Sequence, residues 1–181
     1  TKPPSEYVLF KRPDSAGGCW DPEVHSAEHK LVVRQIGFQP TASYVDKPWA
    51  VTGNIFTVMM KDAKAELVVL AIINSSLMKF FWQMMFADFK TSFPQVTIFS
   101  LAQLPIRAIN FSDPADKARH DHIVSLVEQM LAAKEKLAAA KTDAEVNRLE
   151  MQCESLDRQI DEAVYELYEL TPEEIKILEG A

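Results

Sequence analysis

Glycine is scarce in this chain, 5 of 181 residues, and no stretch reads as a Walker loop or a GxGxxG turn. A nucleotide fold that cradles phosphate on glycine-rich backbone is therefore excluded. Cysteine is scarcer still. Cys19 and Cys153 stand too far apart for a CxxC redox or zinc pair, and 2 cysteines with 4 scattered histidines fit a reducing compartment, so a cytoplasmic protein is expected. Long apolar runs are missing as well. Residues 67–74 and 77–87 are interrupted or bordered by Asn74, Ser75, Ser76, Lys79 and Gln83, too short and too polar to cross a bilayer. The first six residues hold Pro3 and Pro4 without an apolar stretch, and the chain does not begin with Met. The expectation is no signal peptide, no membrane partner and a segment of a longer protein.

What is present can fill a core: 48% hydrophobic residues, with 10 Phe, 7 Met and 3 Trp. The length suits one domain, with or without an appendage, since single cores are commonly built from roughly 100–200 residues. The net charge of -7 is unevenly spread. Residues 1–110 carry 11 basic and 9 acidic residues, hence +2, and residues 111–181 carry 8 and 17, hence -9. A polyanion partner is compatible with the first part and repelled by the second.

The pattern along the chain changes at the same place. Between Lys30 and Met60, β-branched and aromatic runs alternate with Gly37, Pro40, Pro48 and Gly53-Asn54, which predicts three to five short strands. From Ala63 to Phe86 apolar residues recur at helical spacing, giving two helices or one broken near Asn74-Ser75-Ser76. Phe93 to Phe99 returns to an extended pattern. Ser112-Asp113-Pro114 is a helix start, and a stripe of Ile123, Leu126 or Val127, Met130, Ala133 and Leu137 follows. Thr142-Asp143-Ala144-Glu145 fits a capping box. The next stripe, Val146, Leu149, Cys153, Leu156, Ile160, Ala163 and Leu167, has the spacing of a coiled-coil seam. Two helices joined so closely should pack as an antiparallel hairpin, and Thr171-Pro172-Glu173-Glu174 caps a last short helix. The fold class expected is α+β: a small mixed β-sheet body with packed helices over 1–110, then a coiled-coil-like antiparallel hairpin with a short C-terminal helix over 111–181.

Candidate chemistry is thin. His25 and His29 would share one helix face, with Cys19, Asp21 and Glu28 as further ligands, but Gly17-Gly18 and Pro22 favour a loop there. His120 and His122 open a helix and suit a solvated position. The many carboxylates after Asp113 sit at outward positions between Lys and Arg, where no apolar neighbour would shift a pKa. Ser75-Ser76 lacks a GxSxG elbow. No catalytic, cofactor-binding or metal site is expected. What remains is a basic, amide and aromatic set, Arg34, Gln35, Gln39, Tyr44, Lys47, Trp49 and Asn54, with Lys79, Lys90, Gln95 and Arg107. Arg and Lys contact phosphate or guanine, and Gln or Asn can bond adenine edges. An ordinary surface accounts for the same composition.

Four motifs add a resemblance. Lys30-Leu-Val-Val-Arg-Gln-Ile-Gly37 resembles the strand that opens the TaqI-like C-terminal specificity domain of adenine-N6 DNA methyltransferases and fused restriction-modification enzymes. Asn54-Ile-Phe-Thr-Val58 is similar to its next strand, Leu70-Ala-Ile-Ile-Asn-Ser-Ser-Leu77 to its helix, and Phe93-Pro-Gln-Val96 with Leu101-Ala-Gln-Leu-Pro-Ile106 to its closing segment. Residues 160–175 resemble the ending common to these enzymes. The resemblance implies a target-recognition module without activity of its own. It would position duplex DNA for an upstream methyltransferase domain that carries the Asn-Pro-Pro-Tyr motif and binds S-adenosylmethionine, so that an adenine can be flipped and methylated. Recognition loops vary with target, so no base contact carries over. From chemistry alone the DNA-contacting residues expected are Lys11, Arg12, Arg34, Gln35, Lys47, Asn54, Lys79 and Lys90; for Arg34, in a Leu-Val-Val-Arg strand, a brace to a buried carboxylate is the other role open. A different class, a protein-interaction module binding through its hairpin seam without DNA, stays open.

Overall fold

A computed structural model describes residues 21–51, 53–86 and 94–180. Along the chain run α1 (Pro22–Ser26), β1 (Lys30–Arg34), β2 (Ala42–Val45), β3 (Ile55–Val58), α2 (Ala63–Asn74), α3 (Ser76–Phe86), α4 (Ile98–Leu101), α5 (Pro114–Ala139), α6 (Asp143–Leu167) and α7 (Pro172–Glu179). The class is α+β. The three strands lie in the order β2-β1-β3, and both pairings are antiparallel, so the sheet is not mixed as expected but a plain antiparallel one. The β1–β2 connection turns the chain back on itself, whereas the β2–β3 connection crosses over to the other edge of β1, so β2 and β3 run in the same direction on either side of it and neither pairs with the other.

Alternation along β1 sends Leu31 and Val33 to one face, where both are fully buried. Against that face lies α2. Eight consecutive residues of α2, Glu66 to Ile73, are buried, which an ordinary amphipathic surface helix never shows. It is enclosed because the sheet covers one side and the hairpin the other: one apolar cluster runs from Leu31 and Val33 through α2 to Ile123, Val127, Leu156 and Leu167. Among the described residues no single helix is long and apolar enough to cross a membrane.

The break between α2 and α3 falls at Ser75, whose backbone is extended, and the axes bend by 59° there. Ser75 Oγ donates to the Ile72 carbonyl at 2.8 Å and accepts from the Met78 N–H at 3.2 Å. Its partner Asn74 turns back to the sheet and grips Ala42 twice, accepting its N–H at 2.9 Å and donating to its carbonyl at 3.0 Å. Asp161 of α6 receives the Ser76 N–H at 2.8 Å and the Ser76 hydroxyl at 2.6 Å, so a side chain from the hairpin caps α3.

Asp113 caps α5 with Pro114 in its first turn, and Thr142 caps α6 by accepting the Glu145 N–H. The full reciprocal box forms at Thr171 and Glu174; the Thr171 N–H donating to the Glu174 carboxylate holds that group below its usual range. The seam expected on α6 is buried from Leu149 to Leu167, with Val146 half-buried at its end. A second expectation changes. Residues 95–99 do not continue as a strand: Gln95 makes a single bridge to Ile36, and α4 begins at Ile98 because Thr97 caps it. A local side-chain cap outweighs the β-propensity of Thr-Ile-Phe.

Candidate nucleic-acid interface

Opposite Leu31 and Val33, the strand alternation presents Lys30, Val32 and Arg34 on the outer face of the sheet. Pairing adds Val45 beside Lys30, Ser43 and Thr57 beside Val32, and Ile55 beside Arg34. The two ends of this face differ. At the Lys30 end, α1 closes over the strand: Lys30 is fully buried, and its Nζ donates to the carbonyls of Val24 and His25, both at 2.9 Å. These are orphan groups at the C-terminal end of a helix, the place where a cation is favoured. Burial pulls the Lys30 pKa down. The His25 Nδ1 accepts the Val51 N–H at 3.0 Å, fastening the following loop. His25 therefore lies on a helix, against the loop expected from Pro22, since Pro at the first helical turn starts a helix.

At the other end Arg34, Ser43 and Ile55 are exposed. Three segments meet there. The Gln35 N–H donates to the Asn54 carbonyl at 2.8 Å, the Val96 N–H to the Gln35 carbonyl at 2.8 Å, and the Gly37 N–H to the Pro94 carbonyl at 3.0 Å. Asn54 turns the chain into β3 with φ at 71°, a left-handed conformation that Asn tolerates. A Cβ on Gly37 would sit 2.7 Å from Arg34 Nε, so this glycine leaves room for the guanidinium against the backbone. Phe38, 72% exposed, and Ile36, 45% exposed, complete an apolar and cationic rim.

The structure thus brings Arg34, Gln35 and Asn54 together. Lys47 follows β2 at the Lys30 end, since Val45 pairs with Lys30; the length of β1 from Lys30 to Arg34, four steps of roughly 3.3 Å or about 13 Å, lies between that end and Arg34. Lys79 lies elsewhere again, in a cleft between α3, α6 and α7 shared with Arg158, Asp161, Glu162 and Glu179. Tyr165 lines the same cleft, and burial followed by the Asp161 charge pushes its hydroxyl up to about 12. Lys11, Arg12 and Lys90 lie outside the described residues.

Other residues of the chemical set serve the fold. Tyr44 packs on the core. Arg107 pairs with Asp116 at 3.0 Å and Glu169 at 3.6 Å and also donates to the Leu167 carbonyl. The Asn110 N–H donating to Asp116, with Arg107 and Arg119 alongside, holds that carboxyl below its usual range. The Tyr168 hydroxyl donates to the Pro105 carbonyl at 2.6 Å and accepts the Arg107 N–H at 3.2 Å. Arg34 has no carboxylate partner among the described residues; of the buried carboxylates, Glu66 takes the His29 Nδ1 at 2.9 Å and the Met60 N–H at 2.9 Å, and Asp116 takes Arg107 and Arg119. Among the described residues no three His, Cys, Asp or Glu side chains gather as a metal site.

Sequence reasoning passed over Phe38, Ile36 and Ile55, whose exposure depends on which face of the sheet stays open. Their one sequence signal is an apolar residue on either side of Gly37, in a turn where water-facing residues are the rule.

The sequence model of the TaqI-like C-terminal specificity domain matches residues 2–106. The chain belongs to that family. The match takes in the sheet, α2, α3, α4 and the whole Arg34 rim, and ends one residue before Arg107. In this family the role is target recognition in restriction-modification, and DNA is the partner that the role implies. The hairpin, with the ending at 160–175, lies beyond the match. No curated protein matches the chain.

Proposed function

We propose that this specificity domain recognises the DNA target of an adenine-N6 DNA methyltransferase and is not catalytic by itself. It holds duplex DNA for a methyltransferase domain upstream in the same chain, in the cytoplasm, and that domain binds the S-adenosylmethionine. What supports the reading is the rim at Arg34: a cation, two amide-bearing residues and exposed apolar side chains, all inside the family match. Arg34 suits phosphate or a guanine edge, and Gln35 and Asn54 suit positioning or adenine. The acidic hairpin would repel phosphate and acts as support. The alternative of a partner helix docking on the hairpin seam loses its basis, because α5 already covers that seam.

The test is a salt series of duplex binding by the full chain. Losing one phosphate contact lowers the salt slope by about one unit. Arg34→Ala, Lys47→Ala and Lys90→Ala should weaken binding more than Lys134→Ala and Arg148→Ala. A larger loss from the two hairpin substitutions, with all five proteins folded, would overturn the assigned surface.

A further inference from the structure

Next to the Arg34 rim, between the 37–39 turn and the end of α3, the surface sinks into a cleft of about 260 Å³. Its lining is narrow in chemistry: the rings of Phe38, Trp82 and Phe86, and the carboxamides of Gln39, Gln83 and Gln95, over the backbone of Gly37 and Pro94. Trp82 is buried and packs on Phe86 with ring centroids 4.9 Å apart, so one wall is braced from behind. Phe38 on the opposite side is 72% exposed. A large ring left this open has no stabilising role in the fold, because burial is what an apolar ring contributes.

Among the described residues no charged side chain lines the cleft, which disfavours a phosphate or carboxylate as its occupant. Carboxamides both donate and accept, and aromatic faces take planar groups by stacking. The volume is below the roughly 300–1,000 Å³ of pockets for drug-sized ligands. An unpaired nucleobase meets every term: planar, neutral, with donors and acceptors along one edge, small enough for the space. The Arg34 guanidinium, held against Gly37 one residue from Phe38, stands where the phosphate of that nucleotide can be met.

We infer that this cleft is a nucleobase site, in which Phe38 stacks on a base that has left the duplex while Gln39, Gln83 and Gln95 bond its edge. The inference rests on the DNA reading and adds a contact to a base outside the helix. Binding by the full chain is compared on a perfect duplex and on the same duplex with a single bulged base. Stacking of one base predicts about tenfold tighter binding to the bulged duplex. Phe38→Ala, at an exposed position, should bring the two affinities together, the ratio between the bulged and the perfect duplex being the quantity read. An iodouracil placed in the bulge and irradiated should crosslink to Phe38, Trp82 or Phe86. Equal wild-type affinity for both duplexes overturns the cleft and leaves the DNA reading standing, as does a preference that survives in Phe38→Ala with crosslinks elsewhere. Binding to neither duplex overturns the DNA reading and the cleft together.

Discussion

Lys30 and Arg34 share a strand, a face and a charge, and the structure gives them opposite tasks. Four residues of separation carry the chain from under α1 to the open rim. Lys30 spends its donors on the carbonyls that end α1, whereas Arg34 lies exposed against Gly37. A substitution separates the two. Lys30→Met keeps the length of the side chain and takes the donor from the buried His25 carbonyl and the half-buried Val24 carbonyl, so it should cost about 1–3 kcal/mol in urea unfolding, with the salt slope of DNA binding unchanged. Arg34→Ala should do the reverse, shifting stability by no more than about 0.5 kcal/mol, as exposed sites do. Were Lys30→Met to alter the salt slope in a folded protein, Lys30 would belong to the interface and not to α1.

Elements in this chain end where another element supplies the missing partner. Residues 63–86 are apolar enough to run on as one helix, yet Ser75 closes α2 with its own hydroxyl and Asp161 receives the first N–H of α3. The cap comes from 85 residues away, so no local pattern announces it. Asp161→Ala should cost about 0.5–2 kcal/mol, the usual loss for a helix cap. Part of that loss is offset. Burial first and the Asp161 charge second hold the Asp157 carboxyl above its ordinary range, so at neutral pH the ionised Asp157 opposes folding, an effect that disappears as the pH falls and the group takes up its proton. Removing Asp161 relieves some of it. Urea denaturation at neutral and lower pH checks both statements: the substitution should destabilise at both, and more at the lower pH, where the Asp157 compensation is smaller. A change within about 0.5 kcal/mol at either pH would mean that water serves Ser76 equally well.

At the scale of the whole chain, the basic body and the acidic hairpin meet on α2, which touches β1 and β2 on one side and α5 and α6 on the other. Tyr168 and Arg107 tie the hairpin's far end to the 105–107 segment. Cutting the chain after Asn110 would expose the flank of α2 that Ile123, Val124 and Val127 cover, and would remove the Asp161 cap at the same stroke. Residues 1–110 alone should therefore show no cooperative thermal transition and should bind a hydrophobic dye, as partly folded chains do. A sharp, reversible transition in that fragment would show that the hairpin is dispensable to the body.

Helix starts, the seam and the strands of this protein were readable because they rest on neighbours within a few residues. Asp113-Pro114, Thr142 and Thr171 satisfy N–H groups two or three positions away, and the steps from Leu149 to Leu167 follow the helical period itself. The same holds for the family, whose motifs are strings of adjacent residues, and for the split of charge. Tertiary structure alone decided which end of the sheet stays open, since α1 must first be laid across Lys30 before Arg34 becomes the exposed cation. It decided that Asp161 caps α3 and that Arg107 joins the hairpin instead of the rim. It also placed Phe38 opposite Trp82, 44 positions later in the chain. Each of these is a meeting of residues far apart in sequence, fixed by the burial of α2 on both sides, and no local periodicity encodes such a meeting.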